Sequence, residues 1–469
     1  MGGLVPPVLF CEVLFMSTIA AVATPDAVGG ISVIRISGEK SLEIADKIFK
    51  NYAGKAPSQM DGYTCAYGQI INDNNEKIDD VVLTVFRNPK SYTGEDVVEV
   101  SCHGGRYITK KILRMIYKYG AEPAQGGEFT KRAFLNGKMS LTQAEAVMDI
   151  ISSGGESQLR YANALKDGAV FRRINKIKES LINILADLAA WADFPEEDVP
   201  EVKPEVLGVQ IDRVVKDLTK TLDTYEHGRI VREGINTVIC GKPNVGKSTL
   251  MNCLSGYQRS IVTDIAGTTR DIIEENVRIG ELTLRLSDTA GIRETDDIIE
   301  SMGVDIAYKK IDEADLILAV FDSTSELEPK DFEIIEKLKN KNCIAVINKI
   351  DGKTNIDKDF IYSNFKNTVE ISAKNDEGIE RLQKILEDMF LYDKSEASDG
   401  IIANERQKNC IEKALSNAIE AKTILENGEM LDAVTVMLDS AADNLMELTG
   451  EKSSEKVIDD VFSRFCVGK

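Results

Sequence analysis

At 469 residues, 43% of them hydrophobic and 29% charged, the chain has the composition of an ordinary globular protein of about two to four domains. A formal net charge of −20 excludes wholesale coating of nucleic acid, so an RNA partner would have to meet a local basic patch. Eight cysteines without a Cys-x-x-Cys pair, and two histidines, argue against a zinc site and suit a reducing cytoplasm.

In chain order, residues 1–15 come first as an extra segment. Val8 to Phe15 is apolar but short, is interrupted by Glu12, and lacks a basic flank and a small-residue cleavage site, so no signal peptide is expected. No run reaches the length of a membrane-spanning helix. In residues 16–137, Ile31 to Ile36, Thr64 to Ile70, Asp80 to Phe86 and Val97 to Cys102 alternate or run apolar as strands do, and Lys110 to Lys118 has helical spacing. This predicts a separate α+β domain. Residues 138–229 read as helix, with apolar residues at helical spacing in Leu141 to Met148 and Ile182 to Ala190. Lys166 to Lys178, with Arg172, Arg173 and Lys176, is either a basic patch or a solvated helix face. Residues 230–392 form a nucleotide-binding α/β block, and residues 393–469 return to helix. A globular block between two helical stretches predicts insertion into a discontinuous helical domain.

The block opens with Gly241-Lys242-Pro243-Asn244-Val245-Gly246-Lys247-Ser248, between an apolar strand (Thr237 to Cys240) and a helical stretch from Thr249. Strand, loop and helix in that order are what a phosphate-binding loop requires. Its glycines turn backbone N–H groups onto phosphates, and the helix N-terminus adds partial positive charge. Lys247 can reach the β- and γ-phosphates, and the Ser248 hydroxyl can ligate magnesium.

Three later motifs narrow the ligand to GTP, each at the end of an apolar strand, where open α/β sheets bind ligands. Asp288-Thr289-Ala290-Gly291 offers a carboxylate for the magnesium shell and a free N–H for the γ-phosphate. Asn348-Lys349-Ile350-Asp351 offers a carboxylate to guanine N1 and N2, which adenine cannot satisfy, and a lysine stem to cover the base plane. Ser372-Ala373-Lys374 offers backbone N–H groups to guanine O6.

Residues 261–271 lie between the loop and the second motif, and a threonine there can complete the magnesium shell and sense the γ-phosphate. The nucleotide-contacting set is therefore Asn244, Val245, Gly246, Lys247, Ser248 and Thr249; Thr263, Asp264, Ile265, Ala266, Gly267, Thr268 and Thr269; and the three strand-end motifs. Ile292 stands where Ras-like proteins carry the glutamine that orients water. Glu300 is close enough in sequence to replace it, or else decorates an exposed helix. Asn244 either coordinates a monovalent cation through its amide oxygen or satisfies local turn geometry.

Beyond these motifs, Gly29 to Gly38, Tyr92 to Asp96, His103-Gly104-Gly105, Gly127 to Lys138, Asp193 to Glu197, Gly267 to Asp271 and the terminal Cys466-Val467-Gly468-Lys469 occur together. From Ser17 to Lys469 the chain resembles the bacterial MnmE (TrmE) family of tRNA-modification GTPases. The resemblance implies an N-terminal domain that binds a tetrahydrofolate one-carbon carrier and dimerises, a split helical domain, and an inserted Ras-like P-loop GTPase domain. It implies a homodimer that works in the cytoplasm with the flavin-dependent partner MnmG, as a heterotetramer, on the wobble uridine of certain tRNAs. The 5-formyl- or methylene-tetrahydrofolate would be contacted by Arg35, Glu99, Lys138 and Lys469. Apart from the family, Arg35 and Glu99 read as a cross-strand ion pair.

The resemblance also implies potassium at Asn244, Thr263, Ile265 (through its backbone) and Thr268, supplying the charge of an arginine finger. Magnesium would take Ser248 and Thr269. Catalysis falls to Lys247 and to Glu300 as the water-orienting group. Family members begin near Thr18, which leaves Met16 as an alternative start. Cys466 is a weak candidate for a nucleophilic or redox thiol. The rival reading is an Era- or Der-type ribosome-assembly GTPase. That class lacks the N-terminal domain and the Cys-Val-Gly-Lys end, and it carries a basic RNA-binding appendage that this acidic chain does not advertise.

Overall fold

A computed structural model describes residues 17–193, 203–257, 274–287, 310–390 and 400–469. The described residues fall into two compact units, one drawn from Met1–Met148, Phe171–Leu218 and Cys410–Lys469, the other from Asp149–Val170 and Thr219–Asn409.

The first unit contains a seven-stranded sheet built from β1 (Ile19–Val22), β2 (Ile31–Ser37), β3 (Phe49–Asn51), β4 (Thr64–Ile71), β5 (Lys77–Phe86), β6 (Val97–His103) and β7 (Glu122–Pro123), in the order β3-β4-β5-β6-β2-β1-β7. Alternation decides its faces. Val81, Leu83 and Val85 of β5 point with Ile34, Ile36, Val98 and Val100 into a core. Helices Ser41–Ile48 and Arg106–Lys118 roof that core with Leu42, Ile44, Ile48, Ile112 and Ile116. On the opposite face the register pairs Arg35 with Glu99. The same unit holds helices Glu128–Leu135 and Glu455–Ser463, where Phe134, Leu141, Ile458, Phe462 and Phe465 pack together.

The basic segment Lys166 to Lys178 spans two helices. Gly168, at φ 82°, separates helix Glu156–Lys166 from helix Ala169–Asp193, so Lys166 stands on a different helix from Arg172, Arg173 and Lys176, of which Arg172 and Lys176 are exposed. Lys178 is buried, and its ammonium lies 2.6 Å from each oxygen of Glu451. A buried ammonium needs such a partner.

The second unit is a six-stranded sheet of β8 (Ile235–Cys240), β9 (Glu274–Ile279), β10 (Leu282–Ser287), β11 (Leu316–Asp322), β12 (Cys343–Asn348) and β13 (Asn367–Glu370), in the order β13-β12-β11-β8-β10-β9. All neighbours are parallel except the β9–β10 hairpin. Parallel strands covered on both faces read as unbroken apolar runs, and every residue of β12 is buried. Cys343 lies in this core, where burial pushes its thiol up, and so behaves as a small hydrophobe. This unit also takes parts of both helical stretches. Ser157 donates to the Glu281 carbonyl at 2.5 Å, and Arg160 pairs with the Glu281 carboxylate. Arg229 of helix Tyr225–Glu233 forks onto Asp315 at 2.6 and 3.2 Å.

Candidate nucleotide-binding site

The phosphate loop runs from the end of β8 into helix Lys247–Tyr257. Two of its conformations are specific. Gly246 has φ 99°, and a Cβ there would strike the Asn348 side-chain amide. Asn244 is left-handed at φ 63°, a conformation that asparagine tolerates better than most residues. The Lys247 ammonium donates to the Gly241 carbonyl at 2.9 Å and the Lys242 carbonyl at 2.7 Å. Ser248 and Thr249 open the helix at the loop's end, where its N–H groups are free of intrahelical partners. Val245 is buried beneath the loop.

The base-side motifs meet this loop directly. Asn348 is 2% exposed; its Nδ2 donates to the Val245 carbonyl at 3.0 Å, and its Oδ1 accepts the Ala373 N–H at 3.0 Å. One side chain thus fixes three motifs. Lys349, at φ 65°, donates to the Asn244 carbonyl and to Asp322, both at 2.6 Å. Asp351 accepts the Ser372 hydroxyl at 2.7 Å, and this bond holds its carboxyl below the usual carboxylate range. An ionised carboxylate is the form that accepts the two guanine N–H groups.

One expectation is refined. The N–H groups of Ser372 and Ala373 are used internally, on the Glu377 carbonyl and the Asn348 side chain, both at 3.0 Å. Of the three backbone N–H groups, that of Lys374 stays outside these internal bonds.

Sequence reasoning missed three contributors. Asp322, at the end of β11, holds Lys349; burial alone would raise its carboxyl, but Lys349 and Thr324 bring it below the ordinary value. Lys242 lies 2.9 Å from Glu328 and 2.7 Å from Asp331, at the start of helix Pro329–Leu338. The signal for Asp322 was present, since it ends an apolar strand as the recognised motifs do. Cys253, on the phosphate-loop helix, donates to Asp376 at 3.0 Å; burial and then that carboxylate push its thiol up to about 12. Thr263, Asp264, Ile265, Ala266, Gly267, Thr268, Thr269, Asp288, Thr289, Ala290, Gly291 and Glu300 lie outside the described residues.

In the first unit, Arg35 and Glu99 do form the cross-strand pair, at 2.8 Å. The pair is not isolated. Arg35 Nη1 donates to the Gly468 carbonyl at 3.2 Å, and its guanidinium lies 5.6 Å from the Tyr92 ring and 5.4 Å from the Phe129 ring. The Phe129 N–H donates to the Lys469 carbonyl at 3.2 Å, so the C-terminus closes over the pair. Lys138 reaches the Pro89 carbonyl at 2.9 Å, on the loop that leads to Tyr92. Among the described residues, Glu99 Oε2 takes no protein hydrogen bond. Cys466 is exposed beside this site.

Two family models account for nearly all of the chain: the MnmE helical domain matches residues 141–466, and the GTP-binding protein TrmE N-terminus matches residues 18–138. The chain belongs to the MnmE (TrmE) family. Family relatives named tRNA modification GTPase MnmE match it end to end. The one from Carboxydothermus hydrogenoformans is 42% identical over 96% of this chain and 99% of its own length. The one from Clostridioides difficile is 43% identical over 96% and 99%. The one from Thermoanaerobacter pseudethanolicus is 42% identical over 97% and 100%. Among the described residues, no helix is long and apolar enough to cross a membrane.

Proposed function

We propose that this chain is a GTP hydrolase of tRNA modification. Its GTPase domain, residues 230–392, is inserted in a helical domain made of residues 138–229 and 393–469, and residues 16–137 form a folate-binding and dimerisation domain. The observation that carries the nucleotide reading is the Asn348 bridge between the phosphate loop and the guanine-side loop, with Asp351 held ionised beside it. Discrimination follows from hydrogen bonding. The carboxylate matches the two donors of guanine, and adenine presents no such pair, leaving a desolvated charge unmet. The glycine-lined cradle fits a polyphosphate, with Lys247 moving from loop carbonyls onto phosphate oxygens.

Magnesium would be held by the Ser248 hydroxyl with Thr269, and potassium by Asn244 with Thr263, Ile265 and Thr268, as the family resemblance implies. Such cations supply positive charge to the developing transition state. The folate carrier fits the open carboxylate oxygen of Glu99 and the cations Arg35, Lys138 and Lys469. The enzyme works as a cytoplasmic homodimer with the flavoprotein MnmG, installing an aminomethyl or carboxymethylaminomethyl group at carbon 5 of the tRNA wobble uridine. Support comes from the family relatives, named for tRNA modification.

Two measurements test this reading. Purified protein should hydrolyse GTP and not ATP. Mass spectrometry of tRNA nucleosides from a deletion strain should show loss of the wobble-uridine modification, restored by the intact gene. An unchanged nucleoside profile would remove the tRNA assignment, and a preference for ATP would remove the guanine pocket.

A further inference from the structure

The chain carries a net charge of −20, yet helix Arg106–Lys118 holds Arg106, Lys110, Lys111, Arg114 and Lys118 and no carboxylate. Its apolar side is committed to the core through Thr109, Ile112 and Ile116. At the helical repeat, Tyr107, Lys110, Lys111, Arg114 and Lys118 form one outward stripe about 17 Å long. The cations at the two ends of the helix are neutralised: Arg106, beside the stripe, meets Asp26 at 3.5 Å, and Lys118 meets Asp73. The middle is not. Among the described residues, Lys110, Lys111 and Arg114 have no carboxylate partner. Like charges three and four residues apart repel, so this arrangement works against the helix that carries it. Tyr107 is 77% exposed, with the Lys111 ammonium 5.9 Å from its ring centroid. A concavity of about 380 Å³ follows the stripe.

We infer that this stripe docks the phosphodiester backbone of tRNA, an inference that rests on the tRNA reading above. Lys110, Lys111 and Arg114 neutralise phosphates, with release of their counterions. Tyr107 offers an aromatic face to a base or ribose at the edge of the contact. A membrane surface fits worse, because an interfacial helix needs an apolar face turned outward and this one is spent on the core. The site is distinct from the segment Lys166 to Lys178, whose Lys178 is buried against Glu451.

The test uses the full-length chain and a tRNA pool, with affinity measured across a series of potassium chloride concentrations. The triple variant Lys110→Glu, Lys111→Glu, Arg114→Glu is compared with Arg213→Glu, Lys216→Glu, Lys220→Glu, an equal charge change on exposed positions of helix Pro204–Leu222. Circular dichroism and thermal melting verify the fold, and a Gln series at the same three positions gives a milder version. The expected result is at least a tenfold loss for the stripe variant, with the slope of log affinity against log salt shallower by about two units. The comparison variant loses less than twofold. Unchanged affinity and slope in the stripe variant, while the wild type binds tRNA, would overturn the stripe and leave the tRNA reading standing. An equal loss in the comparison variant would overturn it too. Retained tRNA binding with lost flavoprotein binding would assign the stripe to a protein partner instead. A wild-type chain that binds no tRNA at any salt would sink both.

Discussion

The ammonium of Lys242 sits 2.7 Å from the Asp331 carboxylate, joining the phosphate loop to the first turn of helix Pro329–Leu338. Asp331 is 3% exposed and also caps that turn, accepting the Glu328 N–H at 2.9 Å. The Lys242 carbonyl is in turn an acceptor for Lys247. Removing the side chain leaves a buried carboxylate without its cation and frees the loop that seats the phosphate lysine. Lys242→Ala should therefore weaken GTP binding about tenfold, the scale of a lost charge-assisted bond. Lys242→Arg should restore most of it. Titration with a fluorescent guanine nucleotide reads the difference, and an Ala variant with wild-type affinity would show that the loop holds its own shape.

A second prediction concerns Asn348. Its amide is the only one among the described residues that joins Val245 to Ala373, and it is almost wholly buried. Asn348→Ala strands a buried carbonyl and a buried N–H, at a cost of about 1–3 kcal/mol each. Thermal unfolding of the nucleotide-binding unit should move down by several degrees, and GTP should protect it less than it protects the wild type. Asn348→Asp should also weaken the site, because a carboxylate cannot donate to Val245.

The Asp351 pair gives a pH prediction. Its carboxyl is lowered chiefly by the Ser372 hydroxyl, so it stays ionised as pH falls through the ordinary carboxylate range. A depressed folded value means that guanine binding is complete above the ordinary range and is lost only as pH drops through the folded value. Ser372→Ala removes the first cause. Its GTP affinity should begin to fall at a higher pH than in the wild type, while the two agree near neutrality. Superimposable pH profiles would show that the hydroxyl does not set the ionisation.

Much of this site was legible because its chemistry sits at strand ends, where short motifs have fixed neighbours. The phosphate loop and the Asn348 to Asp351 motif are read from spacing alone. The strands themselves were harder. β11 is an unbroken apolar run that periodicity cannot tell from a buried helix, and β9 offers only Val277 and Ile279 as apolar signals. The Arg35–Glu99 pair was legible as a cross-strand contact, yet nothing in the spacing shows the C-terminus returning to it. That contact spans 433 positions between Arg35 and Gly468, a separation at which sequence patterning is silent. The Lys242 clasp was invisible for the same reason, because only the fold brings a loop lysine to a helix cap.

That C-terminal return can be broken at one atom. Gly468 has φ 97°, and an added Cβ would strike the Val22 carbonyl and come within 3.0 Å of the Ala23 Cα. Gly468→Ala should lift the last residues away, removing the acceptor that Arg35 uses and displacing Lys469. The variant should lose binding of 5-formyltetrahydrofolate by at least tenfold while hydrolysing GTP at the wild-type rate, since the substituted residue belongs to the other compact unit. Calorimetric titration with the folate reads this directly. Undiminished binding would remove the terminal residues from the folate site.

The last prediction turns on Ile292, which stands where a Ras-like protein would carry a water-orienting glutamine. An isoleucine can neither donate to nor accept from water, so hydrolysis needs another group to align the attack. It also needs a positive charge near the leaving oxygens, which an arginine finger gives elsewhere for a gain of about 10³–10⁵ in rate. The proposed potassium site at Asn244, a left-handed residue of the phosphate loop, would supply that charge. Replacing potassium by sodium, with nucleotide saturating, should lower turnover at least tenfold, and Asn244→Ala should remove the difference between the two ions. Glu300→Ala should abolish hydrolysis while leaving GTP affinity nearly intact, because an interaction made only in the transition state changes turnover and not ground-state binding. Equal rates in sodium and potassium would take the cation out of the mechanism, and a Glu300 variant with unaltered turnover would place the attacking water on some other residue.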